Sequence, residues 1–173
     1  TNALITAGIE NADVIVAGPF EITGTAALVG AMKAYSDLTG EDISEDSMDA
    51  AVNELVITSE MAEGESAEEI EELMAYVKAE VVRRGLDDEE EISKLIDEGA
   101  NQLGIAITEN EKSAIISLMQ KISELDLDIE SMKEQAQDLF NKLEDMGIDK
   151  EQAKGFFQKI IDAIQSFFNE LFS

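Results

Sequence analysis

The chain has 173 residues, no cysteine and no histidine, and its 39 acidic residues outnumber 12 basic ones, giving a formal net charge of −27. Disulfides, thiolate or imidazole metal ligands, a histidine pH switch and Ser-His or Cys-His nucleophiles are therefore excluded. The negative charge makes nucleic acid and anionic membrane surfaces poor partners, because both attract basic proteins. A hydrophobic share of 45% is typical of a folded protein, and we find no apolar run long enough to span a bilayer.

The first forty residues predict a fragment of a mixed structure. Residues 1–8 are typical of a helix end closed by Gly8. Residues 12–18 hold the β-branched Val14, Ile15 and Val16 between turn formers, which favours a short β-strand ahead of the only proline, Pro19. No second segment of comparable quality follows, and a strand needs a ladder partner. We therefore expect the chain to be the C-terminal part of a longer protein.

From Thr25 onward, apolar residues recur with the 3.6-residue period of an α-helix and predict seven helices. The last of these is expected from about Asp149 to the C-terminus. The apolar stripes of the other six are Leu28, Met32 and Tyr35; Met48, Val52, Leu55 and Ile57; Ile70, Leu73, Met74, Val77 and Val81; Ile92, Leu95, Ile96 and Leu103; Ile115, Leu118, Met119 and Ile122; and Met132, Leu139, Phe140 and Leu143.

Residues that typically begin and end helices lie at the borders of these segments. Ser66 with Glu69 and Thr108 with Glu111 have the spacing of a capping box, and Asp87 with Glu90 is an aspartate version of it. Thr23 is expected to be an N-cap rather than part of a phosphate loop, since no lysine follows at the required spacing. The predicted helix ends lie at or near Gly40, Gly64, Gly85, Gly104 and Gly147.

These patterns predict a mainly α fold of six to seven helices in short-loop helical hairpins, with one short N-terminal β-strand. The full-length protein would then be α+β. We divide the chain into residues 1–40, a remnant of an N-terminal α/β region, and residues 41–173, an acidic helical domain.

The acidic residues are concentrated in residues 37–98, which hold 22 acidic and 4 basic side chains. Asp37, Asp97 and Asp126 are candidate first ligands of an EF-hand calcium loop. All three fail, because the sixth position lacks glycine and the twelfth lacks glutamate. We therefore predict no specific metal site, and solvated helix faces explain the charge more simply.

No catalytic residue can be selected from the sequence. Paired carboxylates for acid–base chemistry must lie at fixed distances across a cleft, and spacing along helices does not supply that geometry. The sequence thus predicts a protein that is not an enzyme and that holds no cofactor.

The last predicted helix carries five of the seven phenylalanines on one wide apolar face, opposite Lys159, Asp162, Gln165 and Asn169. Packing on the helical core is the favoured interpretation, ahead of self-association. A membrane-interface helix is the weakest alternative, because the polar face lacks an excess of lysine or arginine. The candidate interaction face consists of Phe156, Phe157, Ile160, Ile164, Phe167, Phe168 and Leu171.

Several stretches of the chain resemble a known family. Residues 2–9, the strand at 14–17, Pro19-Phe20 and residues 23–30 look like the YpuA-like family, domain of unknown function 1002. Leu103-Gly104-Ile105, Thr108, Glu111 and residues 125–128 are similar to its C-terminal helical part. The resemblance implies an exported or envelope-associated protein of Gram-positive bacteria or archaea, with a signal peptide and an α/β region outside these residues. It implies no activity and no catalytic residue.

Three functional interpretations stay open. The first is a non-catalytic exported or cell-envelope protein that binds an envelope protein partner or assembles with itself as a homo-oligomer, and it agrees with the missing catalytic residue types and the phenylalanine-rich face. The second is an acidic extracellular protein that interacts with cations or polysaccharides. The third is an acidic cytosolic protein of a salt-loving organism. The N-terminal sequence of the precursor would separate the third from the other two.

Overall fold

The computed structural model describes residues 2–9, 12–18, 20–62, 67–125 and 127. Six α-helices account for most of these residues, and no β-strand occurs among them. The helices are α1 (Asn2–Thr6), α2 (Gly24–Thr39), α3 (Glu45–Met61), α4 (Ala67–Arg84), α5 (Glu89–Leu103) and α6 (Glu109–Ser123). The predicted mainly helical fold is confirmed over this part of the chain.

Side chains at the helix starts explain where the helices begin. The Thr23 hydroxyl accepts a hydrogen bond from the Ala26 N–H at 3.2 Å, as expected of an N-cap. Thr108 and Glu111 form the predicted capping box in both directions. At α5 the predicted cap is off by one residue, since Asp88 rather than Asp87 accepts from the Glu91 N–H at 3.0 Å.

Glycines with positive φ follow four described helices, as expected for Gly8, Gly40, Gly85 and Gly104. Gly40 after α2 has φ 75° and Gly104 after α5 has φ 74°, both in the left-handed region that glycine adopts without strain. The Gly40 N–H donates to the Ser36 carbonyl at 3.0 Å, which satisfies a carbonyl that the helix end would otherwise leave free.

The larger of two hydrophobic clusters lies among α3, α4, α5 and α6, with α4 in contact with the other three. Every described residue from Glu72 to Val81 of α4 is buried, so this helix is central. The stripes predicted for α4 and α6 are confirmed, and that of α5 is confirmed except at Leu103, which is half-buried. The helix-period pattern therefore identified most of this core.

The stripe predicted for α3 is wrong in its details. Met48 is exposed, and Val52, Leu55 and Ile57 are only partly buried. The fully buried positions of α3 are instead Ala50, Ala51, Glu54 and Met61. The difference arises because α3 contacts α1, α2, α4 and α6 and has no single core-facing side.

A smaller hydrophobic cluster joins the N-terminal helices to α3. Ala3, Ala7 and Ile9 pack with Leu28 and Met32 of α2, and Ala51 of α3 completes the cluster. Ala50, the preceding residue, belongs to the larger cluster. Consecutive residues of α3 thus face the two clusters.

Gly99 allows α5 to approach α4 closely. A Cβ atom there would lie 2.6 Å from Leu73 Cδ1 and 3.1 Å from Tyr76 Cδ1, and both neighbours are buried. We expect Gly99→Ala to lower the free energy of unfolding by about 1 kcal/mol, because overpacking costs about 1–3 kcal/mol and better helix propensity returns about 1 kcal/mol. Urea denaturation measures the change.

Gly30→Ala on α2 is the matched control, since a Cβ at Gly30 meets nothing within 4 Å. This variant should be as stable as the native protein or gain up to about 1 kcal/mol. Equal stabilisation by the two substitutions would contradict the close approach of α5 to α4.

The structure does not show the predicted strand at residues 12–18. These residues run without helix, turn or bend, and no described residue supplies a ladder partner. The predicted sixth and seventh helices and the phenylalanine-rich face, from Phe156 to Leu171, lie outside the described residues. The division at residue 40 stays a prediction. Among the described helices, none has the length and apolar content to cross a bilayer.

Candidate functional site

A groove with a volume of about 410 Å³ lies between residues 12–17 and one face of α2. The segment forms one wall, and α2 forms the other with mostly small residues. Ile9 and Ile22 complete the lining. The lining residues of α2 are Ala26, Ala27, Gly30, Ala31, Ala34, Tyr35 and Leu38. Since Asp13 is the one charged residue among the described residues that line it, this part of the groove is mainly apolar.

Large apolar side chains are exposed in and beside this groove. Among the described residues, seven of the nine large hydrophobic side chains with high exposure lie between positions 14 and 38. Ile15 is 91% exposed, Leu38 87% and Phe20 74%. The seven are Val14, Ile15, Val16, Phe20, Ile22, Val29 and Leu38. A concentration of this kind marks an interaction surface more often than scattered exposed residues do.

A buried polar network fixes α1, the helix from which the groove segment continues. The Lys78 ammonium of α4 donates to the Asn2 carbonyl at 3.0 Å, to the Thr6 hydroxyl at 3.0 Å and to Glu54 Oε1 of α3 at 2.9 Å. The Thr6 hydroxyl donates to Glu54 Oε2. Asn2 also donates through Nδ2 to the Glu71 carbonyl at 2.9 Å.

This network satisfies the buried ammonium completely. An ammonium has three N–H donors, and Lys78 has three acceptors at hydrogen-bond distance. The Lys78 side chain is 0% exposed and that of Glu54 1%, so neither charge is solvated by bulk water. Loss of either partner would leave an uncompensated buried charge, which is far more costly than loss of a surface pair. The network therefore holds α1 against α3 and α4.

The same burial argues against a chemical role for this cluster. Lysine beside a hydroxyl can act in nucleophilic catalysis, but only where a substrate reaches the hydroxyl. Thr6 and Lys78 are both 0% exposed. The arrangement is therefore suited to fixing helix positions.

Two further carboxylates are buried on α4, and they differ in their partners. Glu80 accepts from Arg83 Nε at 3.0 Å and Nη2 at 2.8 Å, and it also contacts Arg84. Glu72 is 1% exposed, and its Oε1 has no hydrogen-bond partner. Burial, reinforced by the negative charge of Glu69, raises the pKa of Glu72 to about 8. Glu72 is therefore mostly protonated at neutral pH.

An acidic depression of about 430 Å³ lies where the N-termini of α5 and α6 meet. Three of its polar side chains already have partners: Asp88 caps α5, Glu90 pairs with Lys94, and Lys112 pairs with Asp97 at 2.6 Å. Among the described residues, no three carboxylates are arranged to hold a metal ion. The depression thus offers no such group of carboxylates, and the absence of a specific metal site stays a prediction.

Sequence reasoning missed both the groove and the lysine network. Lys78 lies on the same helical face as Met74 and Val81, at spacings of four and three residues, and a charge in that position signals burial. For the groove, the signal is the run of small residues at positions 27, 30, 31 and 34, which lie on one face of α2. The predicted interaction face, Phe156 to Leu171, cannot be compared with either feature because it lies outside the described residues.

Comparison with known proteins places the chain in a family. The family described as a protein of unknown function, DUF1002, matches residues 1–139, and the chain belongs to it. The uncharacterized protein YpuA of Bacillus subtilis (strain 168) is 37% identical over 173 residues. That alignment covers 99% of this chain and 59% of YpuA, so the chain spans less than two thirds of this relative. No solved structure matches the chain. The resemblance stated from the sequence is confirmed.

Proposed function

We propose that this chain is a non-catalytic protein-binding part of an exported or cell-envelope protein, and that it binds its partner in the groove between residues 12–17 and α2. The observation that carries the proposal is the concentration of exposed apolar side chains around that groove.

The energetic gain on binding is large enough to support this role. Burying one valine, isoleucine or phenylalanine side chain is worth about 1.5–3 kcal/mol before the costs of association. Ile15, Phe20 and Leu38 are each more than 70% exposed, so a partner that covers them removes much apolar surface from water. The buried lysine network holds α1 in place, and the buried Ile9 that follows α1 lines the groove, so this part of the lining is already ordered before a partner binds.

A non-catalytic role agrees with the chemistry of the described residues. The chain has no cysteine and no histidine, and Thr6 and Lys78, whose hydroxyl and ammonium groups meet, are closed to solvent. Export to the envelope is proposed from the family resemblance. A cation- or polysaccharide-binding role has less support, because Asp88 and Glu90 in the acidic depression already have protein partners.

Filling the groove tests the proposal. Gly30→Leu places a large side chain in the groove, and because a Cβ at this position meets nothing within 4 Å, the helix tolerates it. We expect the native protein to enrich peptides from a displayed random library, and the variant to bind these peptides at least about tenfold more weakly. Its melting temperature should be unchanged or higher, since glycine weakens helix interiors.

Val56→Leu is the matched control, because Val56 is exposed on α3, does not line the groove and lies outside the set of exposed apolar residues around it. It should bind the selected peptides like the native protein. Light scattering on both variants checks that mass is unchanged. If no enriched peptide is sensitive to Gly30→Leu, the groove is not a protein-binding site.

A further inference from the structure

The groove segment has the properties of an unpaired strand edge. Val14 and Val16 are 40% and 50% exposed, whereas Ile15 between them is 91% exposed. This alternation is that of an extended chain with one side toward α2. Among the described residues, the N–H and C=O groups of residues 12–18 make no hydrogen bond. Such an edge is a template for one more strand.

The mode of pairing narrows the partner to an extended chain. A helical ligand satisfies its own backbone groups and would cover the groove segment without pairing with it. An added strand satisfies the backbone of the segment and places alternate side chains toward the apolar wall of α2. Ala27, Gly30 and Ala31 leave room for those side chains.

The acidic residues around the groove also restrict the charge of the partner. Residues 12–45 contain six acidic residues and one basic residue, Lys33. Lys33 already pairs with Asp37 at 3.3 Å. Two copies of a chain with a net charge of −27 repel each other, whereas a cationic partner is attracted and approaches faster. The field around the groove therefore favours a basic chain over a second copy.

The geometry points to strand addition: the groove binds one extended segment of a partner protein, apolar at alternate positions and flanked by lysine or arginine, which pairs with residues 12–18. This inference rests on the proposed function and specifies its partner. The main-chain hydrogen bonds supply affinity, the apolar wall of α2 selects alternate side chains, and the acidic surroundings select the flanks.

The probe is a fluorescent synthetic peptide in which valine and threonine alternate, flanked by two lysines at each end, and the readout is anisotropy. Three results are expected. Exchange of the lysines for glutamates weakens binding at least about tenfold at about 0.05 M salt. The ratio between the affinities of the two peptides decreases as the salt concentration rises. N-methylation along one edge of the peptide weakens binding by a similar factor, whereas methylation along the other edge does not. In the Gly30→Leu protein, methylation along either edge of the peptide has the same effect on binding.

Other outcomes overturn the inference. No binding of the lysine peptide, equal affinity of the lysine and glutamate peptides, or insensitivity to methylation on both edges excludes a basic added strand. A dimer that forms at micromolar protein concentration and is displaced by the peptide identifies a second copy as the occupant. If library peptides depend on Gly30 but are acidic or helical, strand addition fails while the proposed function stands. If no library peptide depends on Gly30, the proposed function itself fails.

Discussion

Replacing Lys78 with methionine is expected to lower the free energy of unfolding by about 3–5 kcal/mol, because the Glu54 carboxylate then stays buried without a counter-charge. The Asn2 carbonyl and the Thr6 hydroxyl lose their donor as well. Chemical denaturation measures the loss, and hydrogen exchange should locate it. Protection of residues 2–9 should fall first, since this network ties α1 to α3 and α4.

Two comparisons separate the buried pair from lysine loss in general. Lys94→Met breaks the exposed pair with Glu90, whose side chains are 69% and 80% exposed, and should leave stability nearly unchanged. The double variant Lys78→Met/Glu54→Leu removes both charges and should recover much of the loss. A Lys78→Met protein as stable as the Lys94→Met protein would show that the buried network contributes little.

Glu72 should make the folded protein less stable as pH rises. Its pKa is about 8 in the folded state and near the ordinary value of 4.5 in the unfolded chain. Between these values only the folded state holds the proton, so unfolding releases it and stability falls by about 1.4 kcal/mol per pH unit. Glu72→Gln is neutral at every pH. The free energy of unfolding of Glu72→Gln should therefore exceed that of the native protein above about pH 4.5. The difference should increase up to about pH 8 and then stay constant.

Glu60→Gln serves as the control, because it removes one carboxylate from an exposed position near the end of α3. Subtracting its stability profile corrects for the weaker self-repulsion of a less acidic chain. Urea denaturation between pH 4 and pH 9 gives all three curves. If the Glu72→Gln and native curves run parallel over this range, the Glu72 carboxyl is not held protonated by the fold.

Most of the described helices could be predicted from signals that span only a few residues of the sequence. A cap residue, an apolar stripe and a terminal glycine coincide at α2 and α5, and the capping box of Thr108 and Glu111 fixed the start of α6 within one residue. Each signal acts over a few residues, so the chain alone determines it. The order and lengths of the described helices follow from the same cause.

The burial of individual acidic residues could not be predicted in this way. Glu54, Glu72 and Glu80 are three of 22 acidic residues between positions 37 and 98, and nothing local separates them from solvated glutamates. Their burial depends on which helices pack around α3 and α4. The groove has the same cause, because the small-residue face of α2 forms a wall only together with the segment at residues 12–17 that lies beside it.

For the predicted strand, the local signal was present but the structure it predicted did not form among the described residues. Val14, Ile15 and Val16 have the composition of a strand, yet a strand is defined by pairing and not by composition. Residues 12–18 are extended, but no described residue pairs with them to form a β-ladder.

Because Ala50 and Ala51 of α3 face different hydrophobic clusters, the two clusters share one helix. Fraying of α3 would open both at once, so α2 and the four-helix cluster are expected to lose structure as one cooperative unit, from which α1 detaches earlier when its lysine network is broken. A ligand that tightens α2 against α3 then also protects residues on α4 and α6 that it never touches, by mass action on the shared open state. Occupancy of the groove would in this way raise the stability of helices α2 to α6 together.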